Sequence, residues 1–354
     1  YLSKKGFSDS ILGKAGLIKD QEKKTSSAHA SRPYDRFRGR IMFPIHDVSG
    51  RIVAFSGRIF EDDPKNPQAK YLNSPETAVF NKSITLHGLD KAKDSIRRLN
   101  ACVLVEGQID LILSHQIGYR NTVATSGTSF TDEHAKILKR YSENLLVAYD
   151  GDRAGVSAAG RAAAVALQSG LNVKIARIPP ESDPADLANK HPELLKQAIK
   201  EASHVVDFYL AYLKDAKYDK RTFRMEVSRT VIPFLALIGN SIDQAHFVGR
   251  VSEYLDVPPD AVFEEVQKVK TSTRTPNGDK QTAEPFLSRA ESLERLVAGL
   301  ILLFEEPGDT DAAAHPTQVL SEAVGAEKGK ELIRISENDK RPALFEADFF
   351  LERH

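Results

Sequence analysis

Two aspartates separated by one glycine, Asp150 and Asp152 in "YDGDRAG", follow an apolar run, and Glu106 follows another in "VLVEGQID". A third acidic group, Asp183 and Asp186 in "PPESDPADL", follows a further run. If these runs are parallel strands of one sheet, the carboxylates share its carboxyl edge, where open α/β sheets bind ligands. Like charges crowded there repel, and each carboxylate is partly protonated unless a cation offsets them. Oxygen donors without His or Cys favour a hard ion, Mg²⁺ or Mn²⁺. Two such ions can stabilise the attacking and leaving oxygens of a phosphoryl displacement, with Glu106 as general acid or base. A plainer alternative is that Asp152 is only the N-cap of the next helix. Glu106-Gly107 repeats the arrangement of Asp150-Gly151, and that repetition favours the metal site. A residue without Cβ at Gly107 or Gly151 also lets phosphate or metal approach the backbone closely.

The surrounding pattern provides such strands. "ACVLVEG", "YRNTVATSG", "NLLVAYD" and "NVKIARIP" read as four buried strands, and helices are expected over about 108–115, over "DEHAKILKRY" and over "AGVSAAGRAAAVALQSG", with Gly170 as C-cap. Repeated βα units predict a mostly parallel sheet covered by helices. Upstream, "GRIMFPIHDVSGRIVAFSGRIF" reads as two β segments around a turn at Asp47-Val48-Ser49-Gly50. "EDDPKNPQAKYLNSPETAVFNK" reads as loop, and Leu89–Leu99 as an amphipathic helix. From Asn189 to about Lys270 the pattern is almost wholly helical, with Val227, Val231, Leu235 and Ile238 at helical spacing. The expected organisation is a basic α+β N-terminal lobe over 1–100, a parallel-sheet domain over 101–190 and a helical subdomain over 191–270. A linker over 271–285 and a further helical unit over 286–354 complete it.

The chain of 354 residues is 41% hydrophobic and 28% charged, which fits two or three globular units. No apolar stretch approaches the roughly 20 residues that span a bilayer. The N-terminus lacks an initiator Met and a continuous apolar core, so the chain is expected to begin inside a longer protein. Cys102 is the single cysteine, which excludes a disulfide framework and a Cys-based zinc site within the chain and fits a reducing, cytoplasmic setting. Lys and Arg outnumber Asp and Glu by 19 to 11 in residues 1–100 and trail them by 21 to 28 from residue 191 onward. Any polyanion is therefore expected to meet the front of the chain. The histidines His46, His87, His115 and His134 show no ligand spacing.

"VLVEGQID", "YDGDRAG" and "SDPADL" together resemble the Toprim domain shared by bacterial-type primases, topoisomerases, some nucleases and recombination proteins. "RFRGRIMFPIHDVSGRIVAFSGR" and "KYLNSPETAVFNKSITLHGLDKAK" narrow this, because they closely resemble the catalytic core of the bacterial DNA primase (DnaG) family over roughly residues 1–210. The resemblance implies RNA primer synthesis on a single-stranded DNA template from nucleoside triphosphates with Mg²⁺ or Mn²⁺. Glu106, Asp150 and Asp152 fall on the family's catalytic and metal-binding acids, and Asp110 and Asp183 on further acidic positions. Where the family often has Asp-Pro-Asp, this chain has Asp183-Pro184-Ala185, which leaves open whether Asp186 replaces the missing acid. Arg58, Lys70 and Lys82 fall on basic positions that contact template or nucleotide. Asn73, Ser74 and Thr125 to Ser129 fall in family motifs whose polar groups could hold triphosphate oxygens or equally serve as turn residues, and Tyr71 is either a base-stacking residue or, more in keeping with its type, a core or rim aromatic. With one cysteine the chain cannot contain the family's zinc-binding domain, and residues 286–354 resemble only the beginning of its helicase-binding domain. Two rivals remain. Another Toprim enzyme, a nuclease or topoisomerase, would need no triphosphate site or would need a Tyr nucleophile, and a non-catalytic replisome binding module would need neither.

Overall fold

Alternate residues of two neighbouring strands divide the core between the faces of one sheet. In a computed structural model describing residues 1–19, 33–61, 68–125 and 127–272, Cys102, Leu104, Leu145 and Val147 belong to one apolar cluster and Val103, Val105 and Ala148 to the other. Period-two alternation with both faces buried is the signature of a helix-covered parallel sheet.

The N-terminal lobe precedes that sheet. Helix α1 (Asp9–Lys14) leads to β1 (Ile18–Lys19), which pairs with β2 (Tyr34–Asp35). Strands β3 (Arg40–His46) and β4 (Ile52–Ile59) form an antiparallel hairpin. Its turn is closed by Asp47, whose Oδ1 accepts from the N–H groups of Ser49 and Arg51, and by Gly50 at φ +85°. Strand β5 (Tyr71–Asn73) adds to β4, so part of the segment read as loop is a third strand. Three residues among Pro, Asn and Lys carry too little pattern to show it. Helix α2 (Leu89–Leu99) buries Leu89, Ala92 and Ile96 along one stripe.

The central sheet contains β6 (Cys102–Val105), β7 (Thr122–Ala124), β8 (Asn144–Val147) and β9 (Asn172–Ile175), linked by α3 (Gln108–Gln116), α4 (Asp132–Lys139) and α5 (Arg153–Gln168). Helices α6 (Pro184–Lys190) and α7 (Pro192–Lys200) follow β9 and lead to β10 (Ser203–His204), an antiparallel edge strand. The helical expectation for this region misses β10. Spatial order is β10-β9-β8-β6-β7, with β6 to β9 parallel. The chain leaves β6 toward β7 on one side and returns to β8 on the other, so β6 and β8 flank the topological switch point. Ser169 is the cap of α5, and Gly170 follows it at φ +74°, one position beyond the expected place.

Helices α8 (Val205–Asp215), α9 (Lys220–Thr230), α10 (Ile232–Leu237), α11 (Ser241–Leu255) and α12 (Pro259–Ser272) pack over one face. Tyr209 of α8 ties them to α5, donating its hydroxyl to the Val156 carbonyl at 2.7 Å and stacking on Phe234. The chain divides into a unit Tyr1–Arg274 and a unit Thr275–His354. The linker expected over 271–285 beyond Ser272, and the expected helicase-binding beginning, lie outside the described residues.

Gly151 joins two loops at the carboxyl edge. Its N–H donates to the Ser182 carbonyl at 2.9 Å, and a Cβ there would lie 2.0 Å from the Pro179 carbonyl oxygen. The missing side chain therefore admits the protein's own backbone. Gly151→Ala is expected to destabilise the fold by about 1–3 kcal/mol, because the clash outweighs the lost chain entropy. A urea unfolding midpoint below that of the wild type checks this.

Candidate active site

Parallel register carries the ends of β6 and β8 to the same height, with Leu104 opposite Val147. Glu106 and Asp150 leave the sheet just beyond those strands, at the switch point. Both are half-buried. Burial, and then the charges of Asp150, Asp110 and Asp152, push the Glu106 carboxyl up to about 7, while Arg161 opposes the shift. Asp150 is likewise raised by burial and by Asp183 and Asp152, and is countered by Lys70. The edge is an electrostatic liability that a cation would relieve.

The other acids are committed to backbone. Asp110 in the first turn of α3 accepts from the Gly107 N–H through Oδ2 at 3.0 Å and from the Ala185 N–H through Oδ1 at 2.9 Å. Burial still lifts its carboxyl to about 6 against those hydrogen bonds. Asp152 Oδ1 caps α5 by accepting from the Gly155 N–H at 2.6 Å, and Asp183 Oδ1 caps α6 by accepting from the Asp186 N–H at 2.6 Å. The cap reading of Asp152 and its place among the acids are thus both met. Asp186 is exposed and pairs with Lys190 at 3.1 Å along the helix surface, so it does not take the place that Ala185 leaves. Among the described residues no three acidic, imidazole or thiol groups are arranged to hold one metal ion. The five acids share an edge without forming a ready-made cage.

Basic residues reach this edge from the N-terminal lobe. Lys70 is exposed and close enough to act on Asp150. Arg58 lies 5.8 Å from the Tyr71 ring centroid across the β4–β5 pair. The Tyr71 hydroxyl in turn feels Arg58, Asp110 and Asp183. The Asn73 carbonyl accepts from Arg36 Nε and Nη2 at 3.3 and 3.0 Å, and the Asn73 amide lies 2.5 Å from where a Cβ on Gly127 would stand. Lys82 is held by its backbone: its N–H donates to Glu76 Oε1 at 3.0 Å and its carbonyl lies 2.9 Å from His134 Nε2. Those contacts fasten Lys82 to α4 and bring it to none of the acids. Ser74 is buried and accepts from the Phe55 N–H at 3.0 Å, a structural role.

A cavity of about 380 Å³ opens beside Glu106, lined also by Thr125, Thr128, Ser129, Tyr149 and Arg161. Arg161 and Tyr149 escape sequence reading because nothing marks them locally. The one available signal for Arg161 is a lone charge in the run "AAGRAAA". Gln108 is also missed: its side-chain amide donates to buried Ser56 Oγ at 2.8 Å and joins α3 to the N-terminal lobe. His87 and His134 are buried, and burial pushes both down to about 4, so both are neutral.

Residues 1–93 match the family model for the DNA primase catalytic core, N-terminal domain, and residues 103–188 match a Toprim-like model. A DNA primase of Halalkalibacterium halodurans is 33% identical over 78% of this chain and 45% of its own length. The chain thus spans about half the length of the curated relatives it matches. A DNA primase domain from Pseudomonas aeruginosa is 32% identical, with a TM-score of 0.63 over 75% of this chain and 83% of that one. The DnaG primase catalytic domain bound to single-stranded DNA is 29% identical, with a TM-score of 0.61 over 73% of this chain and 81% of that one. Two family models in the right order, and a primase domain matched over most of its length, agree with the acidic switch point and basic lobe: the chain belongs to the bacterial DnaG family of DNA primases.

Proposed function

We propose that the chain makes short RNA primers on single-stranded DNA for replication, as a DNA-directed RNA polymerase of the cytoplasm. One observation carries the reading: Glu106 and Asp150 stand just beyond the paired strands β6 and β8 at the switch point, with Lys70 of the basic lobe close enough to act on Asp150. Positive charge beside carboxylates is what a site for metal-bound triphosphate needs. A nuclease needs no such triphosphate arm, which favours the primase over the other Toprim enzymes. Among the described residues no helix is long and apolar enough to cross a membrane.

The donor set fits a hard divalent ion, Mg²⁺ or Mn²⁺, because it is all oxygen and because like charges already strain it. Mg²⁺ in such sites is held by one or two carboxylates together with water and substrate phosphates, so a cage of three is not required. Asp150 and Asp152 would hold it, with Asp183 and Asp110 shaping the edge around them. When bound, the ion supplies charge neutralisation for the triphosphate. Lys70 and Arg58 orient phosphate oxygens. Glu106 accepts the proton of the primer 3′-hydroxyl as that oxygen bonds to the α-phosphorus of the incoming nucleotide. The bond from the α-phosphorus to the bridging oxygen then breaks and pyrophosphate leaves. Template, primer and nucleoside triphosphates are the partners, with a replicative helicase engaged through the C-terminal region.

Glu106→Gln keeps size and removes the proton acceptor. Primer synthesis on single-stranded template with labelled nucleoside triphosphates is expected to fall on the order of 10²-fold or more. Its unfolding midpoint at pH 8 should match or exceed that of the wild type, since a crowded charge is gone. Primer synthesis surviving in this variant, or shortened DNA with no new RNA from the wild type, would overturn the reading.

The pH dependence has a definite sign. The folded protein holds a proton on Glu106 up to about 7 and the unfolded chain releases it near the usual 4.5, so ion-free stability falls as pH rises through that window. Divalent affinity runs the other way, because the ion competes with that proton. Mn²⁺ binding followed by electron paramagnetic resonance should strengthen as pH rises through about 7. In Glu106→Gln the remaining rise should move down toward about 6, where Asp110 titrates.

A further inference from the structure

The acids have two flanks, and the triphosphate reading uses one. Lys70 acts on Asp150, and Arg58 and Asp183 both act on Tyr71, while the 380 Å³ cavity is lined by Glu106 and by none of these five. Its size is within the range of roughly 300–1,000 Å³ common for small-molecule sites. Thr125, Thr128 and Ser129 bring hydroxyls, Phe130 and Tyr149 bring aromatic surface, and Arg161 brings a cation.

Arg161 is the informative residue. It is exposed on the third turn of α5, its Nη1 donates to Ser157 Oγ at 2.9 Å, and no carboxylate lies within salt-bridge distance of it among the described residues. Its charge acts on Glu106 and Tyr149 across the cavity. A guanidinium held by its neighbour without an acidic partner, over a hydroxyl-lined hollow, matches a phosphate with an attached sugar. Nucleotidyl transfer joins two nucleotides, one bringing a triphosphate and the other a 3′-hydroxyl. The hydroxyl has to reach Glu106, and this is the concave space that Glu106 shares.

We propose that the cavity is the primer-side subsite, which holds the 3′-terminal ribonucleotide of the growing RNA with Arg161 on its 5′-phosphate and Thr128 and Ser129 on its ribose. The same place receives the initiating nucleotide at the first step. This rests on the polymerase reading and adds the second substrate to it. Glu106 then takes the proton of a hydroxyl presented from the cavity, while the triphosphate lies on the Lys70 flank.

Arg161→Ala and Arg161→Lys test the assignment. Extension of a ribotrinucleotide primer on single-stranded template should show, for Arg161→Ala, a KM for primer raised on the order of 10-fold or more and a KM for the incoming triphosphate within about twofold of wild type. Arg161→Lys should recover part of the loss. A rise in the triphosphate KM instead, or a fall in kcat with both KM values unchanged, would overturn it. Fluorescence anisotropy of a 5′-fluorescein ribotrinucleotide on template gives a readout independent of turnover: Arg161→Ala should bind at least about 10-fold more weakly than wild type. Equal binding by wild type and Arg161→Ala overturns the subsite. Failure of the polymerase reading looks different, because wild type would then make no RNA while the anisotropy arm still reports on the cavity.

Discussion

Parallel pairing of β6 with β8 is the constraint from which the site follows. It sets Glu106 and Asp150 beyond two strands whose connections depart in opposite directions. Helices covering both faces leave β6 wholly apolar and confine the polar residue of β8, Asn144, to its start, so the acids stand beyond the carboxyl ends of both strands. Repulsion among those acids is tolerated because burial and register hold them there, and the raised Glu106 carboxyl records the cost. Several carboxylates are spent on the scaffold itself. Asp152 and Asp183 satisfy helix N-termini, and Asp110 spans from α3 to α6 through two backbone N–H groups.

The basic lobe depends on separate fastenings. Gln108 bonds Ser56 in β4, and Asn73 of β5 lies against Gly127 in the loop after β7. His87 exchanges two backbone hydrogen bonds with Ala124, at 2.9 and 3.0 Å, and so covers the free edge of β7. Each joins a segment before the sheet to the β6–β7 side of it. They are short-range polar contacts between distant parts of the chain, and they bring Lys70 to Asp150.

Long periodic segments were legible. The four strands of the parallel sheet and helices α2 to α5 follow from apolar alternation and helical spacing, and the acidic edge follows from where the runs stop. The rest was hidden for physical reasons. β5 and β10 exist by pairing with a neighbour, not by their own pattern, and two or three residues hold too little periodicity to announce a strand. Gly151 was read as an opening for ligand, but its space is filled by Pro179, a contact that depends on the loop after β9. Arg161 and Gln108 are ordinary polar residues in helices, and only the fold turns one toward Glu106 and the other toward Ser56.

Ala185 shows how a missing acid can be absorbed without a substitute. The position contributes its backbone N–H to Asp110, and any residue other than proline could do that. The α3–α6 link therefore survives loss of the side chain. Asp186 cannot compensate from its place on the outer helix surface, where it is already paired with Lys190. What changes is the charge of the edge, which carries one negative group fewer beside Asp150 and Asp183. Less repulsion at the edge means a weaker pull on any cation that binds there.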